Sequence, residues 1–312
     1  MGVAVVAILA LFDLTLVAWA GTGATQAAAR PATPGTVPFT ATAGIPSPVE
    51  RPADVATPPP TSPPTPAATA PATTQPPTPP PAPVVPAGPL RVAFMGDSVA
   101  WTMASGLTSS APQYNMSISN DGIFGCGVVR GTPFRYFGTT YAALPNDCDH
   151  WPQQWQADIN RDHPDLVVIM VGRWELMDRF FNGQWTHIGD PAFNQYLATE
   201  FDNAVAVASS AGARVVLCTD PYYHRGPAPN NGTWPEDDPV RVDMVNTLLR
   251  QTAERHPGVG LLRLGQRLSP GGQLAMQIDG VRVRTDGVHI AQTAGPWLAP
   301  WVLPQLNTFV GR

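Results

Sequence analysis

The chain contains no lysine; all 18 of its basic residues are arginine. Charged residues make up only 13% of it, and the formal net charge is −5. No basic cluster stands out, which argues against nucleic acid as a partner. The missing lysine points to a GC-rich coding bias and not to chemistry. Cysteine is also scarce, limited to Cys126, Cys148 and Cys218. None forms a C-x-x-C pair, so a cysteine-rich zinc site is not expected. No metal or organic cofactor is implied. Cys126 and Cys148 lie in loop-like sequence rich in glycine or aspartate. Cys218 ends the apolar run Arg214–Cys218, which reads as a buried strand where a free thiol behaves as a small hydrophobe. The expected disulfide is therefore Cys126–Cys148, which would require an oxidising compartment.

What the chain has in excess is proline. Of 37 prolines, 21 fall between Pro31 and Pro89. This stretch of proline, alanine and threonine has one aromatic residue, Phe39, and cannot bury enough apolar surface to offset its chain entropy. Residues 23–89 are thus expected to be an unfolded linker. Its prolines favour polyproline II, and at ~3.1 Å per residue the 59 residues from 31 to 89 reach at most roughly 180 Å. Before the linker, residues 2–20 are almost wholly apolar. Their length suits a membrane span, and Ala18-Trp19-Ala20 suits a signal-peptide cleavage site. No basic residue precedes the run, and Asp13 near its middle costs about 2.5–3.5 kcal/mol on insertion scales. Signal anchor, cleaved signal and last helix of a truncated multi-pass protein all remain open for residues 1–22. Each sends the rest of the chain out of the cytoplasm. Residues 90–312, about 220 in number, are enough for one sizeable core.

Within residues 90–312 strand and helix patterns alternate. Arg91–Met95 reads as the first strand and Ala100–Ser110 as a helix. Asn115–Ser119 reads as a second strand, and Asn120–Gly125 as a loop. Trp155 and Ile159 share a face of a helix over Pro152–Asp162. Asp165–Val171 is the clearest buried strand. Helix, strand, helix and strand follow at Phe193–Ala211, Val215–Thr219, Pro239–Arg255 and Val259–Leu264, and a last helix follows His289. The pattern predicts a doubly wound three-layer α/β/α sandwich with a mainly parallel five-stranded sheet, flavodoxin-like in type. Ligands of such sheets bind at the carboxyl ends of the strands.

Three short segments bear chemistry. Gly96-Asp97-Ser98 ends the first strand, and a serine there is exposed at the sheet edge, beside helix N–H groups that favour negative charge. The same serine would also serve as a helix cap. Asp286-Gly-Val-His289 places a carboxylate three residues before a histidine, where it can fix the tautomer of a general base. The glycines of Asn120–Gly125 let backbone N–H groups approach a substrate. His150, His163, His187, His224 and His256 have no comparable setting and read as surface or loop residues.

Together, and in this order, these segments resemble the SGNH-hydrolase family across essentially all of residues 90–312. The resemblance implies Ser98 as nucleophile, His289 as general base and Asp286 as its orienting acid. It also implies the N–H groups of Ser98 and Gly125 as oxyanion donors. One segment departs. The family ends its third strand with Gly-x-Asn-Asp, whose asparagine also donates to the oxyanion. Here the sequence is Gly172-Arg173-Trp174-Glu175. Loss of one such donor costs about 2.7–4 kcal/mol in catalysis. Arg173 and the Trp174 indole are the candidate replacements. Otherwise Trp174 packs in the core and Arg173 pairs with Glu175 or Asp178. The Gly125-Cys126-Gly127 segment, the Trp151–Trp155 region and the hydrophobic-plus-linker arrangement resemble SGNH domains joined to acyltransferase-3 membrane proteins. Those proteins move acyl groups, commonly acetyl, onto extracytoplasmic glycans. This implies a glycan or acyl-ester substrate, and acyl-donor machinery that is either a separate membrane acyltransferase or lost by truncation.

Two functions follow. The first is a serine esterase or O-acyltransferase working through an acyl-Ser98 intermediate, with Trp101, Trp151, Trp155, Trp174 and Trp185 as candidate sugar-stacking surfaces, core packing being the role expected of at least half of them. The second is a catalytically decayed glycan-binding or scaffolding module of the cell envelope, which the missing asparagine favours. Geometry separates them: Ser98 Oγ should lie within about 2.6–3.2 Å of a His289 ring nitrogen in the enzyme.

Overall fold

The computed structural model describes residues 88–312. The expectations for residues 1–22 and for most of the linker lie outside the described residues. Among the described residues, no helix is long and apolar enough to cross a membrane.

Five strands form the central sheet: β1 (Leu90–Gly96), β2 (Met116–Gly122), β5 (Leu166–Met170), β8 (Arg214–Cys218) and β9 (Gly260–Leu262). Their spatial order is β2-β1-β5-β8-β9, and every pairing is parallel. All five residues of β5 are buried, as an interior strand covered on both faces requires. One helical layer holds α1 (Ser98–Leu107) against α6 (Gly295–Phe309). The other layer holds α2 (Trp151–Asp162), α3 (Pro191–Ala208) and α4 (Pro239–Arg255), packed in sequence order, and the short α5 (Leu264–Leu268) follows β9. The doubly wound α/β/α expectation is met. The order reverses between β1 and β5, so the crevice at their carboxyl ends is where such a sheet takes a ligand.

The helix starts follow from sequence. Asp97 caps α1 by accepting from the Val99 N–H at 2.7 Å. Asp190 and Asp238 cap α3 and α4, each followed by a proline whose missing N–H costs nothing in a first turn. Asn120-Asp-Gly122, expected as loop, instead continues β2, where Gly122 pairs with Gly96. Only Ile123–Gly125 of that segment turns away from the sheet.

The alternating pattern gave no sign of a second, antiparallel sheet. It joins β3 (Phe134–Tyr136), β4 (Thr139–Tyr141), β6 (Arg179–Phe181) and β7 (Gln184–Thr186) in the order β4-β3-β6-β7. Two hairpins, one from each side of β5 in sequence, meet through the single pair Phe134↔Arg179. Its core is aromatic: Phe134 stacks on Tyr141, and Trp174 packs against both Phe134 and Tyr136. Cys126 and Cys148 are joined by a disulfide, and Cys218 is a buried free thiol. At the opposite, amino edge of the sheet, the Arg312 guanidinium donates to the carbonyl of Gly88. Chain entry and chain exit from the described domain are therefore adjacent.

Candidate active site

Ser98 is the first residue of α1, directly after β1. His289 comes from the segment before α6, 191 residues further along the chain. The two meet at the crevice, with Ser98 Oγ 2.9 Å from His289 Nε2. His289 Nδ1 lies 2.8 Å from Asp286 Oδ2. Asp286 Oδ1 accepts from the N–H groups of Val288 and His289, at 3.0 and 2.9 Å. A carboxylate fixed by its own turn in this way holds the imidazole with Nε2 free to take the serine proton. Burial alone would raise the Asp286 carboxyl. The His289 hydrogen bond and the charges of His289 and Arg225 outweigh it and hold the group well below the usual carboxylate range. Beneath the turn, the buried Arg284 donates to the Val288 carbonyl at 2.6 Å.

Asp97 is wholly buried beside the serine, and its carboxyl is pushed up to about 7, chiefly by burial and further by the nearby Glu175. It faces the α1 backbone rather than His289. A cavity of about 530 Å³ opens beside β8 and β9, lined by Asp220, Tyr222, Asn246 and Arg263 among others. It includes neither Ser98 nor His289.

The two oxyanion-hole candidates of the third segment part company. Arg173 is 3% exposed, with Nη2 on Asp237 Oδ1 at 2.8 Å and Nη1 on the Tyr136 hydroxyl at 3.3 Å. It pairs with neither expected local carboxylate. Glu175 instead accepts from the N–H groups of Val128 and Val129, and Asp178 binds Arg241 and lies near Arg135. Trp174 is 8% exposed, and its indole N–H has no acceptor among the described residues. Its Cζ2, next to the nitrogen-bearing ring carbon, lies 3.3 Å from where a Gly125 Cβ would stand. Gly125 itself has φ +78°, a left-handed conformation that glycine adopts freely. The backbone N–H groups of Ser98 and Gly125 donate to no described residue.

The tryptophans expected at the site separate as well. Trp151 and Trp155 are buried edge to face in the core, and the Trp151 indole donates to the Val128 carbonyl. Neither offers a face to a sugar. Trp101 is partly exposed against Phe124, and Trp185 lies under the Arg135 guanidinium. Trp234 was missed: it sits against Phe137 in the loop between β8 and α4. Two other histidines do have carboxylate partners, contrary to expectation. His150 lies 2.8 Å from Asp147 and His256 lies 2.9 Å from Asp202. His150 is largely exposed, and the Asp-x-x-His spacing that it shares with His289 was visible in the sequence. Neither has a serine partner among the described residues.

A family model described as the SGNH domain fused to AT3 domains matches residues 69–304. Among curated proteins no sequence relative matches. Solved structures with the same kind of fold include Est24, a carbohydrate acetylesterase from Sinorhizobium meliloti. It has 14% identity and a TM-score of 0.48, over 70% of this chain and 99% of that one. The aryl esterase of M. smegmatis has 16% identity and a TM-score of 0.46, over 70% and 99%. A GDSL-like lipase from Bacteroides thetaiotaomicron has 15% identity and a TM-score of 0.46, over 70% and 88%.

Proposed function

Because the chain belongs to the family of SGNH domains found fused to AT3 domains, we propose that this SGNH-type hydrolase is an exported esterase or O-acyltransferase. Its substrates would be acyl esters, chiefly acetyl esters, of extracytoplasmic glycans. The observation that carries this reading is the continuous line from Ser98 Oγ through His289 to Asp286, with contacts of 2.9 and 2.8 Å. A decayed site has no reason to keep three side chains in that register, and this opposes the scaffolding alternative.

The chemistry runs in two halves. Ser98 Oγ attacks the acyl carbonyl as its proton passes to His289 Nε2, and the carbonyl oxygen becomes an oxyanion. The oxyanion collapses to acyl-Ser98, and the departing alcohol takes the proton back from His289. Water or a sugar hydroxyl then repeats the sequence, losing its proton to His289 and releasing acid or acylated glycan. Ser98 N–H and Gly125 N–H are two oxyanion donors. We assign the third to the Trp174 indole. Against the family pattern Gly-x-Asn-Asp, the sequence Gly172-Arg173-Trp174-Glu175 puts tryptophan in the asparagine position. An indole N–H without a partner among the described residues, in a side chain this buried, is poised for a substrate oxygen.

Export is supported by the Cys126–Cys148 disulfide, since such bonds persist in oxidising compartments. It is also supported by the membrane AT3 domains to which the family's domains are fused. The partly exposed Tyr136, Phe137 and Trp234 supply ring faces suited to sugars. The test is hydrolysis of a chromogenic acetyl ester by the full-length chain and by Ser98→Ala, with and without a soluble glycan acceptor. Turnover lost in the variant supports the triad, and acetylated glycan formed at the expense of free acetate marks a transferase. Equal rates for both proteins would refute the enzyme.

A further inference from the structure

The same Asp286 oxygen that holds His289 also holds an arginine. Arg225 Nη1 lies 3.1 Å from Asp286 Oδ2, while His289 Nδ1 lies 2.8 Å from that atom. Arg225 belongs to the loop between β8 and α4, and it is anchored there. Its backbone N–H donates to Asp237 Oδ2 at 2.8 Å. The other oxygen of Asp237 takes Arg173 Nη2, also at 2.8 Å. Arg173 and Asp237 are both almost fully buried, so the anchor is shielded from solvent and little screened by salt. The neighbouring Glu236 accepts from the Phe137 N–H at 2.7 Å, which binds the β3–β4 turn to the same loop. A second tie joins loop and triad directly, since the His224 N–H donates to the Gly287 carbonyl at 3.1 Å. An unbroken chain thus runs Arg173–Asp237–Arg225–Asp286–His289–Ser98.

We propose that Arg225 is a positioning residue of the triad, which orients Asp286 and competes with His289 for its charge. The proposal rests on the triad reading given above. Its physical content is a difference between two protonation states. A carboxylate serving the imidazole alone stabilises imidazolium strongly. One shared with a guanidinium stabilises it less, and the guanidinium also repels the imidazolium. Other charged groups lie near this pair among the described residues, the buried Asp220 close to Arg284 included. Arg284 lies beneath the turn and adds to the positive side. Asp97, just after β1, is turned to the α1 backbone and acts on His289 only through its charge. Ser98 on α1 is uncharged. The arrangement also gives Arg173 a role: next to the position where the family pattern has asparagine, it starts the tether and does not reach for the oxyanion.

The test uses the full-length chain and the variants Arg225→Gln and Arg225→Lys. One readout is the acid limb of kcat/KM for a chromogenic acetyl ester. The other is the midpoint of the His289 ring titration followed by NMR, which needs no turnover. In Arg225→Gln both should move up by about 0.5–1 pH unit, with kcat at the plateau reduced several-fold by the looser turn. Arg225→Lys should restore most of the midpoint but less of kcat, because an ammonium keeps the charge without the fork geometry. Midpoints unchanged in Arg225→Gln, with the ring still on Asp286, would overturn the proposal. So would an equal loss of kcat in both variants with no shift in either profile, which marks a purely structural role. A ring midpoint that shifts in a protein with no esterase activity would uphold the electrostatic coupling while rejecting the enzyme reading.

Discussion

Gly172 lies so close against Asp220 that a Cβ at residue 172 would stand 1.3 Å from Asp220 Oδ2. The two residues follow the adjacent strands β5 and β8, and neither has room to retreat. Asp220 is buried, takes the Tyr223 hydroxyl on its other oxygen at 2.9 Å, and exchanges backbone hydrogen bonds with the Asn246 amide. Gly172→Ala should therefore destabilise the protein by about 1–3 kcal/mol, as overpacking does. Ester turnover should fall with it, because Trp174 is only two residues away. Denaturant unfolding beside kcat checks both, and a variant of wild-type stability would show that the apposition imposes no constraint.

Trp174→Phe keeps the ring against Phe134 and Tyr136 and removes only the N–H. If the indole is an oxyanion donor, kcat should fall roughly 10²–10³-fold, with the melting temperature nearly unchanged. Steady-state kinetics on the same acetyl ester decide it. Unimpaired turnover would exclude the indole and leave Ser98 and Gly125 as the donors.

The disulfide should matter to both stability and rate. Cys126 and Cys148 are 22 residues apart, and the chain-entropy relation for a loop of that size gives about 3 kcal/mol. Cys126 also adjoins Gly125, so the loop carrying that N–H should loosen when the bond is absent. The double variant Cys126→Ser/Cys148→Ser is expected to melt lower and turn over more slowly. Reducing agent should reproduce both effects in the native chain and do nothing to the variant.

Asp97 sets a dependence of stability on pH. Its folded carboxyl is raised to about 7 from an ordinary value of 3.8, so the folded state holds the proton more tightly than the unfolded one. The stabilisation is complete below about pH 4 and is lost as pH rises through about 7, by at most ~4 kcal/mol. Asp286, depressed instead of raised, contributes in the opposite sense and only below about pH 4. Asp97→Asn preserves the helix cap and should reduce the loss between pH 5 and pH 8 without abolishing it, since burial also raises the Asp121 carboxyl to about 7. Unfolding midpoints at those two values test it: a native chain with equal stability at both would contradict the burial argument.

Much of this molecule could be read from its residues because the relevant information is local. A parallel strand covered on both faces must be a continuous apolar run, and Leu166–Met170 is one. Asp286 and His289 share one turn, so their spacing alone suggested the pair. The small sheet was invisible because its strands are three residues long and its hairpins join through the one pair Phe134↔Arg179. Arg173 was misread for a related reason. Glu175 and Asp178 were the obvious partners by proximity, but the carboxylate that it meets, Asp237, is 64 residues away. Trp155 shows the remaining weakness: helical spacing told that it shares a face with Ile159, not that the face is turned inward.

The hydrogen bond from Arg312 to Gly88 has a practical meaning for anyone handling the domain. Both ends of the described chain emerge at the amino edge of the sheet, and Ser98 stands at the carboxyl edge. The seven residues of β1 separate them by roughly 20 Å. A bead, chip or fusion partner coupled through residue 88 or residue 312 will hold the domain by its back, with the cleft presented to the solution.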